Sequence, residues 1–313
     1  MAVYTILSKG DVEKIMSNYG NFNVVHHEEL SGGSQNSNYL VKCPNDDFVL
    51  SVCEQNSDEE VQNLALLLDH LAHHNFSTSK LIKTLNGESM SYWNDKPVMI
   101  KRFITGTVEE EIPEHIVRLI GVEIGRLHKI PVPPYLPHSM SYGKAYFHEV
   151  SEYAKGSEYE KWLRAKHKYI ESHITDSLPK SLIHSDVFSS NVIIDNSEEI
   201  VTIMDFEEAT YYYRIFDIGM TIVGICREGT GIDFSKAKLL IKGYTQEIQL
   251  TDEELTCLQA FAVYAATAMS FWRHRNFNYT IPTPSLFNHY EELKQISDSI
   301  YQLDPQEFLD NIS

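Results

Sequence analysis

The first hundred residues alternate apolar and polar positions in short runs, and the rest of the chain shifts to helical spacing. Ser8-x-x-Asp11 reads as the capped start of a helix. Val24-Val25 leads into a Ser31-Gly32-Gly33-Ser34 turn. Ser37 to Val41 and Phe48 to Val52 then read as a hairpin around Pro44-Asn45-Asp46-Asp47. Val61, Leu64, Ala65, Leu68, Leu71 and Ala72 recur at helical intervals behind Ser57, a cap candidate. Trp93 to Phe103 predicts one strand, and Ile104-Thr105-Gly106 breaks the pattern. The domain boundary therefore falls between residues 103 and 104. Beyond it, Glu114 to His128 is amphipathic and stops at the proline-rich connector Pro131 to Pro137. Further helical segments are predicted over 149–174, 216–226, 234–247, 252–271 and 286–303. The fold class this implies is α+β, with a small β-rich N-terminal lobe (1–103) and a larger helical C-terminal lobe (104–313).

One stretch inside the helical part departs from that period. Asn191-Val192-Ile193-Ile194-Asp195 and Ile200-Val201-Thr202-Ile203-Met204-Asp205 are β-branched runs bounded by turn residues, a hairpin signal. If Asp195 to Ile200 close the turn, Asn191 is expected across from Asp205. Asp186 lies five residues upstream in His184-Ser185-Asp186. Three oxygen-bearing side chains then meet at one end of a rigid hairpin. Phosphoryl transfer uses such a set: an acid to receive a hydroxyl proton, and an amide with a carboxylate to hold Mg2+.

Composition narrows the classes. The chain carries 44 acidic against 26 basic residues, a net charge of −18, with no Lys/Arg-rich run. Nucleic acid and anionic membrane are therefore not expected as partners. A small molecule is the expected partner, with the protein a monomer or homodimer. The acidic runs at 58–60, 109–111 and 252–254 read as solvated faces and helix starts. Cys43, Cys53, Cys226 and Cys257 form no Cys-x-x-Cys pair, which suits a reducing cytoplasm. The apolar run 257–272 contains Gln259, is shorter than a membrane span and reads as a buried helix.

Other clusters carry less. His70, His73 and His74 sit at i, i+3, i+4 near a helix end, where histidines complement the dipole as readily as they bind metal. His184 suggests a hydrolase triad, but no Gly-x-Ser-x-Gly elbow hosts a nucleophile; orienting the catalytic loop suits it better. Asp217 caps a helix or braces that loop. Tyr211-Tyr212-Tyr213 walls a pocket or packs as an aromatic cluster. Arg273-His274-Arg275 is a charged helix end or a carboxylate clamp. Gly32-Gly33-Ser34-Gln35-Asn36-Ser37-Asn38 is a turn whose backbone could approach phosphates.

Together, His184-Ser-Asp186-x4-Asn191 and Asp205-Phe206 resemble the aminoglycoside phosphotransferase and choline kinase superfamily, whose fold is bilobal and protein-kinase-like. The Gly33-Ser34-Gln35-Asn36-Ser37-Asn38-Tyr39 segment, Phe188 and Phe271-Trp272-Arg273-His274-Arg275 are most similar to its homoserine kinase branch. The resemblance implies an ATP- and Mg2+-dependent small-molecule kinase, with Asp186 as catalytic base beside His184 and with Asn191 and Asp205 on the metal. It places Gly33, Ser34, Asn36, Ser37 and Asn38 over the nucleotide phosphates. Arg275 and Glu207, the residue after Asp205-Phe206, are the acceptor-binding candidates. Ser51 stands where the superfamily carries a phosphate-pairing lysine, and a hydroxyl cannot replace an ammonium. Lys101 is the candidate substitute if its side chain turns inward. L-homoserine, on the route to threonine, is the expected acceptor; choline, another amino alcohol, hydroxylysine or an aminoglycoside are the rivals. A nucleotide-binding pseudokinase module is the alternative of another class.

Overall fold

The computed structural model describes residues 5–30, 36–195, 197 and 199–312. The chain divides into two compact units, the first ending at Thr105 and the second beginning at Gly106.

In the first unit, α1 (Lys9–Met16) starts on a capping box, Ser8 and Asp11 each bonding the other's backbone. The strands β1 (His26–Glu29), β2 (Asn36–Lys42) and β3 (Asp47–Cys53) precede α2 (Asp58–His73), which Ser57 and Glu60 cap in the same way. Next come β4 (Leu81–Ile82), β5 (Ser91–Trp93) and β6 (Lys96–Arg102). The sheet order is β1-β2-β3-β6-β4, with β5 also paired to β6, and every pairing is antiparallel. The single strand expected over 93–103 is broken. Asn94 and Asp95 both have positive φ, +49° and +63°, the double left-handed turn that folds β5 onto β6 as a hairpin. One sheet face (Val41, Phe48, Leu50, Val52, Val98, Ile100) packs with Val12, Ile15 and Met16 of α1. Each such fully buried side chain contributes roughly 1.5–3 kcal/mol. On the other face, Cys53 and Met99 pack with Val61 and Ala65 of α2.

The second unit is mainly helical: α3 (Glu114–Leu127), α4 (Val150–Tyr153), α5 (Glu158–Glu171), α6 (Arg214–Ile225), α7 (Phe234–Tyr244), α8 (Asp252–Arg275), α9 (Tyr290–Gln302) and α10 (Pro305–Ile312). The helix expected over 149–174 is split, because Gly156 turns the chain at φ +79° and Ser157 caps a fresh start for α5. Of the helix expected over 286–303, Leu286 closes a short 3-10 turn (Pro284–Leu286), and the α-helix begins only at Tyr290. The chain's longest helix, α8, is apolar around most of its circumference from Phe261 to Ala266, and all six of those residues are buried. It is long enough to span a membrane, yet its most apolar stretch is 78% buried in the protein. Three two-stranded antiparallel pairs complete the unit among the described residues: β7 (Lys180–Ile183) with β10 (Thr210–Tyr213), the hairpin of β8 (Val192–Ile194) with β9 (Val201–Ile203), and the short hairpin of β11 (Arg227–Glu228) with β12 (Gly231–Ile232). The acidic runs at 58–60 and 252–254 occupy helix first turns. All four cysteines are free.

Candidate active site

The β8–β9 hairpin is closed by Asp195. Its amide donates to Ile200 O at 3.1 Å, and its carboxylate takes the N–H groups of Ser197, Glu199 and Ile200. Val192 pairs with Ile203, one residue out from the expected register, and Met204 N–H donates to Asn191 O at 2.9 Å. Met204, not Asp205, therefore stands across from Asn191. A one-residue slip would turn every side chain to the wrong face. Two residues past the end of β9, Asp205 sits at a left-handed φ of +69°.

The loop from His184 to Asn191 is held from several sides. Asp217, fully buried in α6, accepts His184 N–H at 2.7 Å and Ser185 N–H at 2.6 Å. Behind it, His128 Nε2 lies 3.1 Å from Asp217, and His128 Nδ1 lies 3.0 Å from the Tyr244 hydroxyl. A carboxylate only accepts, so His128 donates through Nε2. Ser185 sits at φ +69°, its carbonyl bonded by Tyr142 OH and its hydroxyl donating to Glu208 O. Left-handed non-glycine residues cost of order 1–3 kcal/mol and persist only where their surroundings fix them. His184 Nε2 reaches Met204 O at 2.9 Å while Nδ1 accepts from Asp186 N–H at 3.2 Å. That makes the ring the neutral Nε2–H form. The ring thereby ties the loop to the segment that follows β9. Gly224 of α6 lies directly under Val187, where a Cβ would run into the Val187 carbonyl oxygen.

On this frame the Asn191 amide donates to Asp186 O at 2.9 Å and to Asp186 Oδ2 at 3.2 Å. With the nitrogen so committed, the Asn191 amide oxygen turns away from Asp186. Asp186 Oδ1 is buried and has no hydrogen-bond partner among the described residues. Burial, then the negative charges of Asp205 and Glu208, push the Asp186 carboxyl up to about 7; Asn191 and Arg273 act in the opposite direction. Burial also raises the Glu208 carboxyl, against a hydrogen bond from Ser141 Oγ at 2.9 Å. An orphaned oxygen amid crowded carboxylates fits a site that receives positive charge. Asn191 and Asp205 supply hard oxygen donors suited to Mg2+, which takes one or two protein ligands and completes its shell with water and phosphate. No group of three His, Cys, Asp or Glu residues among those described could hold a metal unaided, the 70–74 histidines included.

Arg275 is placed with Nη1 on Glu149 at 2.6 Å and Nη2 on the Ser141 carbonyl at 3.3 Å, its guanidinium over the Phe271 ring. Glu207 is half-buried in the turn after Phe206; its neighbour Glu208 is the residue whose charge reaches Asp186. Tyr212 and Tyr213 pack against Phe216, Phe261 and Tyr264 as an aromatic cluster. In the first unit, Ser51 is buried and donates to Asn38 Oδ1 at 2.7 Å. Ser51 pairs with Met99 and Val49 with Lys101, so Lys101 shares the sheet face of Ser51 and Asn38. Ser37 lies on the other face, where its hydroxyl and Lys96 both bond Glu54. Asn36 is buried across from Cys53. Gly33 and Ser34 lie outside the described residues. His128, Tyr142 and Glu208 carry no signal in local spacing, and Arg273 carries one only as part of a basic cluster. Each reaches the loop from a distant segment.

A model of the phosphotransferase enzyme family matches residues 26–239. The homoserine kinase of Methylobacillus flagellatus is 24% identical over 282 residues, covering 88% of this chain and 86% of that protein. The homoserine kinase of Zymomonas mobilis is 26% identical over 268 residues, 81% and 82% of the two chains. Among solved structures, an amicoumacin kinase in complex with AMP-PNP, Ca2+ and Ami shares the fold. Its TM-score is 0.74 over 96% of this chain and 97% of its own, at 16% identity.

Proposed function

The chain belongs to the phosphotransferase enzyme family, and from that premise we propose that it transfers the γ-phosphoryl group of ATP to the primary hydroxyl of L-homoserine, giving O-phosphohomoserine on the route to threonine. The observation that carries the chemistry is the Asp186–Asn191 pair, an unpartnered carboxylate oxygen beside an amide whose nitrogen is already engaged. The acceptor rests on similarity to two homoserine kinases over more than four-fifths of their length.

Asp186 orients the acceptor hydroxyl and takes its proton late in a loose transition state, so positioning supplies most of the rate. Asn191 holds one carboxylate oxygen and leaves the other to the hydroxyl. Asp217 fixes the two residues before Asp186, and His184 fixes the loop against β9. Asn191 and Asp205 would hold Mg2+, which would supply the positive charge that offsets the nucleotide phosphates. In the first unit, Gly33, Ser34, Asn36, Asn38 and Ser51 are assigned to the phosphates, whereas Ser37, whose hydroxyl is committed to Glu54 on the other sheet face, is not. Lys101 is the cation replacing the absent lysine. Substituting Asp186→Ala should lower ADP production with L-homoserine by at least 10²–10⁴-fold while leaving nucleotide affinity nearly unchanged. Wild-type turnover in that variant would overturn the reading.

A further inference from the structure

Two charged groups that act on Asp186 remain unused by this mechanism. Arg273 is largely shielded, with a side chain 13% exposed, and burial pulls its guanidinium below its ordinary value. Its Nη1 bonds Glu292 at 3.0 Å and the His289 carbonyl at 3.2 Å. Its Nε and Nη2 make no hydrogen bond among the described residues, and neither is a sealed polar atom. Arg227 binds the other oxygen of Glu292 at 2.7 Å, so two guanidinium groups share one carboxylate and leave a surplus positive charge. Glu208 is the converse: anchored by Ser141, it forms no ion pair among the described residues. Both groups act electrostatically on Asp186, from which the hydroxyl chemistry proceeds.

We propose that Arg273 and Glu208 are the specificity determinants of the acceptor: Arg273 takes the α-carboxylate through its free N–H edge, and Glu208 takes the α-ammonium. The inference rests on the homoserine reading and deepens it. A guanidinium with two parallel donors matches a carboxylate fork, whereas an ammonium needs only a point charge facing it. A zwitterion bridging the two would bring its hydroxyl toward Asp186, on which both groups act electrostatically. Arg275 cannot serve equally, because both its terminal nitrogens are already bonded to Glu149 and Ser141.

Two truncated acceptors separate these roles: 3-aminopropan-1-ol lacks the carboxylate, and 4-hydroxybutyrate lacks the ammonium. In Arg273→Gln, kcat/KM for L-homoserine should fall roughly 100-fold, a buried site losing a charged hydrogen-bonding partner. Turnover of 3-aminopropan-1-ol, however slow, should stay within about threefold of wild type. In Glu208→Gln the pattern inverts, with homoserine and aminopropanol both losing and 4-hydroxybutyrate spared. If Arg273→Gln does not fold, Arg273→Lys keeps the charge toward Glu292 but not the fork, and should show the same carboxylate-specific loss in smaller measure. Equal losses across all three acceptors, or a carboxylate-specific loss in Arg275→Gln alone, would overturn the inference and leave the homoserine reading standing. A wild-type enzyme that phosphorylates aminopropanol but not L-homoserine would overturn that reading itself.

Discussion

Between two partly buried arginines, His274 looks inward. Its ring stacks on Tyr159 with centroids 3.7 Å apart and planes 14° from parallel, and its Nδ1 is buried without a hydrogen-bond partner. Burial lowers its pKa from 6.5 to about 4. The folded protein thus resists a proton that the unfolded chain accepts. His274 contributes full stability above the unfolded value, and that contribution is lost as pH falls from about 6.5 toward 4. The loss amounts to something on the order of 3 kcal/mol. His274→Phe keeps the stack and removes the proton site, so its melting temperature should fall less steeply than wild type between pH 7 and 4. Parallel slopes in thermal melts would sink the idea. In sequence the triplet Arg273-His274-Arg275 reads as one basic unit. Successive helix residues point 100° apart, so His274 continues the inner stripe of Thr267 and Phe271 while its neighbours flank it. The spacing held that information; the composition of the triplet hid it.

At the level of elements, α6 and the catalytic loop meet at Gly224. A Cβ there has nowhere to go except into the Val187 carbonyl, one residue past Asp186. Gly224→Ala should therefore displace the loop rather than unfold the helix, with overpacking costing about 1–3 kcal/mol. Homoserine kinase activity should drop at least tenfold, because misplacement of about 1 Å can cost 10²-fold. Retained activity alongside unchanged circular dichroism would show that the loop yields freely. Capped helices and short hairpins were legible in the sequence because their signals are local: Ser8/Asp11, Ser57, and the turn at 44–47. Three features were not. The Asn94-Asp95 turn broke a run that looked continuous, since only backbone twist distinguishes a bend from a strand there. The β7–β10 pair joins segments thirty residues apart and shows no hairpin turn. The register of β8–β9 shifted by one because the turn length was inferred, and Asp195 alone takes up three of the turn's amides.

At the scale of the whole molecule, the two-part organisation could be read from the change in hydrophobic period, since the units differ in secondary structure as well as in sequence position. The proposed catalytic and metal-binding set, Asp186, Asn191 and Asp205, lies within twenty residues, so local spacing alone brings it forward as a candidate. The support beneath it was not legible. Asp217 reaches His184 across 33 residues of chain and His128 across 89, and Tyr244 joins His128 across 116. No periodicity links such positions; packing of α3, α6 and α7 does. A loop in an enzyme ordinarily exchanges its amide hydrogens through small local openings. Here the His184 and Ser185 amides terminate on a carboxylate sealed among three helices, and releasing either requires those helices to part. By native-state hydrogen exchange, these two amides should be protected to the level of the slowest positions in α6, and their rates should track denaturant with the slope of global unfolding. The loop would then open only together with the helices that seal Asp217, so that any population retaining those helices would also retain the geometry of the loop.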